Sequence, residues 1–234
     1  MALIKQLHMK KVIITGTSRG IGFELAKQFA ENNFQVLALS RNQKPLEELQ
    51  LKNITTLAVD VCKQEDLEKV KTYIASEWNE VDILIHNAGF LINKPFENLT
   101  KDDFFRVFDV NVFGVAALTQ VCIPFLKHGS HVVTISSMGG IQGSLKFPGL
   151  AAYSSAKGAV ITLSELLAEE YKEQEIAFNV LALGAVQTEM LEEAFPGYQA
   201  PINAIDMANY IYNFSLSGNQ FYNGKILQVA MTNP

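Results

Sequence analysis

Tyr153 and Lys157 stand four residues apart in Tyr153-Ser154-Ser155-Ala156-Lys157. On a helix that spacing puts both side chains on one face. A phenol titrates near ~10 in water, too high for efficient proton exchange at neutral pH. A neighbouring ammonium stabilises the phenolate, so the pair predicts a tyrosine tuned toward the working range. Such a group can give a proton to an oxygen that is being reduced, or take one from an oxygen being oxidised. Ser137 is expected to hydrogen-bond the same oxygen as part of an oxyanion site.

A second set of residues suits a dinucleotide. An apolar strand runs into Thr15-Gly16-Thr17-Ser18-Arg19-Gly20-Ile21-Gly22, and a helical period follows. Glycines there permit a tight turn and close backbone approach to a pyrophosphate, which then sits at the helix N-terminus. The spacing is Gly-x3-Gly-x-Gly rather than Gly-x-Gly-x-x-Gly, and its place in a strand–helix unit gives it meaning. An acid about 20 residues beyond the first glycine would bind the ribose 2′-hydroxyl of NAD. The second strand closes instead on Leu39-Ser40-Arg41. Arg41 and Arg19 are both placed to clamp the 2′-phosphate of NADP, whose geometry suits an arginine fork. The expected cofactor is therefore NADP, with NAD as the alternative. An oxidised nicotinamide is cationic and would add to the stabilisation of a Tyr153 phenolate.

These residues need strands and helices to carry them. Seven short apolar runs recur along the chain: Val12–Ile14, Val36–Leu39, Leu57–Val59, Ile83–Ile85, Val132–Ile135, Phe178–Leu181 and Ile226–Val229. They are mostly continuous, as strands buried on both faces are. Between them the period is helical, as in Ile21/Leu25/Phe29, Leu67/Val70/Ile74/Trp78 and Ala156/Val160/Leu163/Leu167. The pattern predicts an α/β fold: a single-domain, Rossmann-like, doubly wound, seven-stranded parallel sheet flanked by helices. The chain has 234 residues, 48% of them apolar and 18% charged, enough for a large core. A net charge of −5, from 19 basic and 24 acidic residues, argues against nucleic acid as a partner. No unbroken apolar run approaches the ~18 residues of a membrane span, so no membrane partner is expected. Two cysteines make no disulfide framework, and a cytoplasmic location is expected. The histidines are scattered, no metal-ligand spacing occurs, and no Gly-x-Ser-x-Gly elbow marks a hydrolase.

The glycine turn, Asn87-Ala88-Gly89, Asn111, Ser136-Ser137 and Tyr153-x-x-x-Lys157 occur in that order, at successive strand ends. Together they resemble the short-chain dehydrogenase/reductase family, across essentially the whole chain. The resemblance implies a catalytic tetrad of Asn111, Ser137, Tyr153 and Lys157, with Asn111 holding a water that links Lys157 to solvent. It implies cofactor contacts from Thr15, Gly16, Ser18, Arg19, Gly20, Ile21 and Gly22, and from Arg41. Asp60 and Val61 would meet the adenine, and Asn87, Ala88 and Gly89 the adenosine side. Gly184, Val186 and Thr188 would lie at the nicotinamide, whose ribose Lys157 would also bind. There are departures: His86 where a second asparagine is common, Leu183 where proline is usual, an Ala230-Met231-Thr232-Asn233-Pro234 end, and a lengthened Ser137–Tyr153 spacing.

Phe90, Leu91, Ile141, Leu145, Phe147, Met190, Leu191, Phe195 and Tyr198 are expected to line the substrate pocket, with residues 189–201 as a lid. That lining suits an aldehyde or ketone, or the matching alcohol, with an apolar body. A 3-ketoacyl-carrier-protein reductase of the same family and a non-catalytic dinucleotide-binding regulator are the alternatives. Residues 1–8 are expected to form a dispensable N-terminal extension. Homodimers or homotetramers are expected through the helices around Asn111 and Tyr153, using Val115, Leu118, Val121 and Leu166.

Overall fold

The computed structural model describes residues 9–231; the expected extension at residues 1–8 and the last three residues lie outside them. The elements run β1 (Lys11–Thr15), α1 (Gly20–Glu31), β2 (Gln35–Ser40), α2 (Lys44–Glu47), β3 (Ile54–Ala58), α3 (Gln64–Tyr73), β4 (Val81–His86), α4 (Lys101–Phe108), α5 (Gly114–Cys122), β5 (Leu126–Ser137), α6 (Ala151–Glu170), β6 (Ala177–Leu183), β7 (Val186–Gln187), α7 (Glu189–Ala194), β8 (Ile202–Asn203), α8 (Ala204–Ser217) and β9 (Ile226–Val229). Seven strands form one parallel sheet in the order β3-β2-β1-β4-β5-β6-β9. The fold class and strand number match the expectation.

Alternation along each strand explains why both faces are covered. Val12 and Ile14 of β1 turn toward α1 and α8, with Val36, Ala38, Ile83, Ile85, Leu181 and Leu183. Ile13 turns the other way, with Leu37, Leu39, Leu84, Val132 and Phe178, onto α3, α5 and the end of α6. Each face is apolar, so the strands appear in sequence as continuous apolar runs. The third strand lies earlier than the apolar run suggests, because it begins at Ile54 and uses Thr55 and Thr56. β3 is an edge strand, where β-branched threonines fit a half-covered surface.

A one-turn π-helix, Asp109–Phe113, joins α4 to α5. The result is one helix of 25 residues, Lys101–Phe125, with a mean hydropathy of 1.5 in its most apolar window. By length and composition it meets the measure of a membrane span, a test that the core helix of a globular protein also passes. Here Val107, Asn111, Val115, Leu118 and Cys122 are buried against the rest of the protein. That also corrects the expected association face, since Val115 and Leu118 belong to the interior. The outward apolar side chains on this face are Phe105, Phe113 and Leu166, with Val121 half-buried.

Two buried histidines fasten helices to the sheet. His131 Nδ1 donates to the Ser215 carbonyl of α8 at 3.1 Å, and its Nε2 accepts from Asn179 Nδ2 at 3.0 Å. Both ring nitrogens are thus used by the neutral form, and burial pushes the ring down to about 4. The unfolded chain binds a proton near ~6.5, so this contribution is complete above pH ~6.5 and is lost as pH falls toward 4. Chemical denaturation of His131→Gln is expected to show lower stability at pH 7 and a shallower loss between pH 6.5 and 4 than the wild type.

Candidate active site

The carboxyl ends of β1 and β4 form the floor of the site. Thr15 Oγ1 accepts from the amides of Asn87 and Ala88 at 3.0 and 2.9 Å. Asn87 Nδ2 donates back to the Thr15 and Gly16 carbonyls at 3.0 and 3.2 Å. The Gly16 amide donates to Leu39 O of β2 at 2.8 Å, so three strand ends hold the turn. Glycine is needed for two reasons here. Gly16 and Gly20 have φ of +73° and +57°, a region that strains other residues. At Gly22 a Cβ would stand 2.2 Å from Gly16 O and 2.4 Å from Asn87 Nδ2.

The first turn of α1 contains no acid, and no side chain caps it; the capping position is Arg19. Caps of this kind are normally Ser, Thr, Asp or Asn. The free amides and the positive end of the helix dipole fit a pyrophosphate. Above the turn lies a cavity of about 700 Å³. Its walls include Gly16, Ser18, Arg19, Gly20, Ile21, Arg41, Asp60, Val61, Asn87, Ala88, Gly89, Ser137, Tyr153, Lys157, Gly184, Val186 and Thr188. Thr15, Gly22 and Asn111 do not line it. They are buried and shape it from behind.

Ser137 closes β5, where its Oγ accepts from the Gly139 amide at 3.2 Å and remains half-buried. Ser136 faces inward and donates to the Lys157 carbonyl at 2.8 Å. Both serines line the cavity, but the Ser136 hydroxyl is committed to that carbonyl. On α6, Lys157 Nζ donates to the Ile135 carbonyl at 2.8 Å and lies 5.6 Å from the centre of the Tyr153 ring. Burial pushes the lysine down to about 8. Burial also pushes Tyr153 up to about 12. The direction is opposite to the expected lowering because burial disfavours the charged phenolate.

Asn111 lies in the π-turn. Its Nδ2 donates to the Phe90 and Val107 carbonyls, each at 2.7 Å, and its Oδ1 accepts from the Phe90 amide at 3.4 Å. The amide thus pins the Phe90 loop, with both of its hydrogens used by the protein. A Cβ at Gly89 would stand 3.3 Å from Asn111 Oδ1, a tight approach, and 3.8 Å from Lys157 Nζ. His86 is buried behind them, with Nε2 2.8 Å from Thr119 Oγ1. Thr119 spends its own proton on the Val115 carbonyl at 2.7 Å, so His86 Nε2 is the donor. Burial and the Lys157 charge together push His86 down to about 3.

The two arginines are not equivalent. Arg41 is exposed at the cavity mouth and makes no ion pair among the described residues. Arg19 is held by Glu193 of α7 through both terminal guanidinium nitrogens, one contact being Nη2–Oε2 at 2.9 Å. Asp60 lines the cavity while its Oδ1 accepts from the Cys62 amide at 3.1 Å. Thr188 caps α7, accepting from the Leu191 amide at 3.3 Å. β7 and β8 pair at Val186↔Ile202, so the ends of the segment at residues 189–201 meet.

Eight of the nine expected pocket residues line the cavity: Phe90, Leu91, Leu145, Phe147, Met190, Leu191, Phe195 and Tyr198. Ile141 does not. Its carbonyl instead accepts from Ser144 Oγ and Lys146 Nζ. Residues missed in the sequence include Asn42, Val110, Met138, Ala230 and Met231. Ala230 and Met231 follow β9, so the rule that ligands bind beyond carboxyl ends of strands could have found them. The Ile135 carbonyl that holds Lys157 had no side-chain signal at all.

The sequence model of the short chain dehydrogenases matches residues 10–199. A 3-amino-tetrahydro-pyrrolizinone reductase from Xenorhabdus hominickii is 30% identical over 210 residues, which is 88% of this chain and 72% of the relative. A 4-hydroxyisoleucine dehydrogenase solved with NADH superposes with a TM-score of 0.83 at 27% identity, covering 94% of this chain and 97% of that one. ElxO, solved with NADP bound, superposes with a TM-score of 0.82 at 26% identity, covering 95% and 97%.

Removing the Asn87 amide should loosen the turn that the cavity stands on. Asn87→Ala leaves the Thr15 and Gly16 carbonyls without that partner, a loss of about 1–3 kcal/mol. Asn87→Asp places a carboxylate against two carbonyl oxygens and is expected to be worse. Thermal unfolding with and without dinucleotide should rank the chains wild type, Ala, Asp.

Proposed function

The chain belongs to the short-chain dehydrogenase family and is a nicotinamide-dependent oxidoreductase, and on that footing we propose that it prefers NADP and acts on an aldehyde or ketone, or the matching alcohol, with an apolar body. One observation carries the reading: Ser137, Tyr153 and Lys157 share a cavity with the glycine turn, Arg19 and Arg41. The nicotinamide supplies or takes up the hydride and, when oxidised, brings a positive charge.

Tyr153 holds the proton at its Oη and exchanges it with the substrate oxygen. Burial alone raises its affinity for that proton; the Lys157 charge under the ring and that of an oxidised nicotinamide would lower it toward the working range. Ser137 Oγ donates to the same oxygen and orients it. Lys157 keeps positive charge under the tyrosine ring, held in place by Ile135 O. Asn111 acts as a positioning residue, fixing the Phe90 loop beside Lys157.

At the substrate end the walls are Phe90, Leu91, Leu145, Phe147, Met190, Leu191, Phe195 and Tyr198, which favour a hydrocarbon or aromatic body. Lys94 is paired with Asp103 at 2.9 Å, and Lys146 is occupied by the Ile141 carbonyl and Ser144. Residues 189–201 serve as the lid in this reading. The protein works in the cytoplasm and self-associates through the helices bearing Phe105, Phe113 and Leu166.

Two substitutions test the proposal, with a carbonyl-substrate panel followed by NADPH and NADH absorbance. Tyr153→Phe removes one hydroxyl and should lower turnover ~10²–10⁴-fold, with cofactor affinity little changed; full turnover by this variant would overturn the mechanism. Arg41→Ala should weaken NADPH roughly tenfold or more, the scale of one charge-assisted contact. NADH binding should barely move, and equal weakening of both cofactors would refute the NADP preference.

A further inference from the structure

The Arg19–Glu193 contact joins the glycine turn to the segment at residues 189–201. Arg19 is the residue before the first turn of α1, and Glu193 is on α7. Their two contacts make a fork-to-carboxylate pair, the geometry an arginine also offers a phosphate. The neighbouring segment lies against the same turn. Glu189 Oε2 and Thr188 Cγ2 are each 3.4 Å from where a Gly20 side chain would begin. α7 also brings Met190 and Leu191 into the cavity.

We propose that Glu193 is a specificity-determining residue, competing with the 2′-phosphate of NADP for Arg19; the inference rests on the NADP reading above. Arg41 is free to meet that phosphate, whereas Arg19 must first leave Glu193. NADH has no 2′-phosphate and leaves the pair intact. Both side chains are substantially exposed, at 46% and 63%, so the exchange is between two solvated partners and its effect is modest. Apparent affinity for NADP falls by the fraction of molecules in which Arg19 is committed to the carboxylate. The released carboxylate would then stand near a phosphate of like charge, which ties occupancy of the 2′-phosphate to the position of α7.

Calorimetric titration of NADPH and NADH into the wild type, Glu193→Gln, Arg19→Ala, the double variant and Arg41→Ala tests this by binding alone. Glu193→Gln should tighten NADPH about threefold to fivefold, the scale of an exposed ion pair, and leave NADH unchanged. With Arg19→Ala already present, Glu193→Gln should have no effect on NADPH. The exposure of Glu193 makes its amide variant safe for folding. If Glu193→Gln tightens both cofactors equally, or leaves NADPH unchanged while Arg41→Ala still weakens NADPH selectively, the competition is refuted and the NADP reading stands. If Arg41→Ala weakens both cofactors equally, that reading fails and the inference falls with it.

Discussion

The exchange of hydrogen bonds between Thr15 and Asn87 holds the site together. Parallel sheets that start in the middle and wind outward both ways leave a crevice where the order reverses. In this chain that point lies between β1 and β4. The last residues of the two strands do not pair as a regular ladder there. Thr15 Oγ1 receives two amides, and Asn87 Nδ2 satisfies two carbonyls. Four backbone groups that would be costly to leave unpaired are thereby satisfied by two side chains. The glycine turn can then take its left-handed backbone at Gly16 and Gly20, with Gly22 packed on Gly16 O.

Behind the turn, burial decides protonation. His86 is kept neutral between Thr119 and the Lys157 charge. Lys157 is brought down to about 8 yet remains anchored on a carbonyl. Tyr153 moves up, to about 12. His86 is accommodated because Thr119, one turn from Val115, donates its hydroxyl hydrogen bond to that residue's carbonyl and so accepts from the ring. An imidazole of fixed tautomer thus sits where it cannot become a second cation beside the lysine.

The upper wall is assembled from segments far apart in sequence. The loop at 141–150 is fastened to the loop before α4 through Lys94 N and Gly149 O at 2.9 Å. Asn93 in turn donates to the Ala194 carbonyl at the end of α7, at 2.8 Å. These contacts place Leu145, Phe147 and the lid residues on one apolar wall, opposite the polar end that Ser137 and Tyr153 supply.

The sequence by itself determined the sheet, the turn and the order of chemical groups. Strand burial on both faces writes continuous apolar runs, and close backbone approach writes glycine at fixed spacing; both are local consequences of sterics and burial. Where the local signal was weak, the reading slipped. The edge strand β3 lies earlier than its apolar run because its threonines are not apolar, and the helix expected around Asn111 carries a π-turn that no residue type announces. What only the tertiary structure decided were interactions between residues distant in the chain. Arg19 looked equivalent to Arg41 until Glu193, 174 positions away, was found to hold it. Lys157 was expected beside Tyr153, and it is, but one of its N–H groups is anchored on a backbone carbonyl of β5. Backbone acceptors leave no mark in residue type, and partners across a fold have no fixed spacing, so neither could be found before the chain was folded.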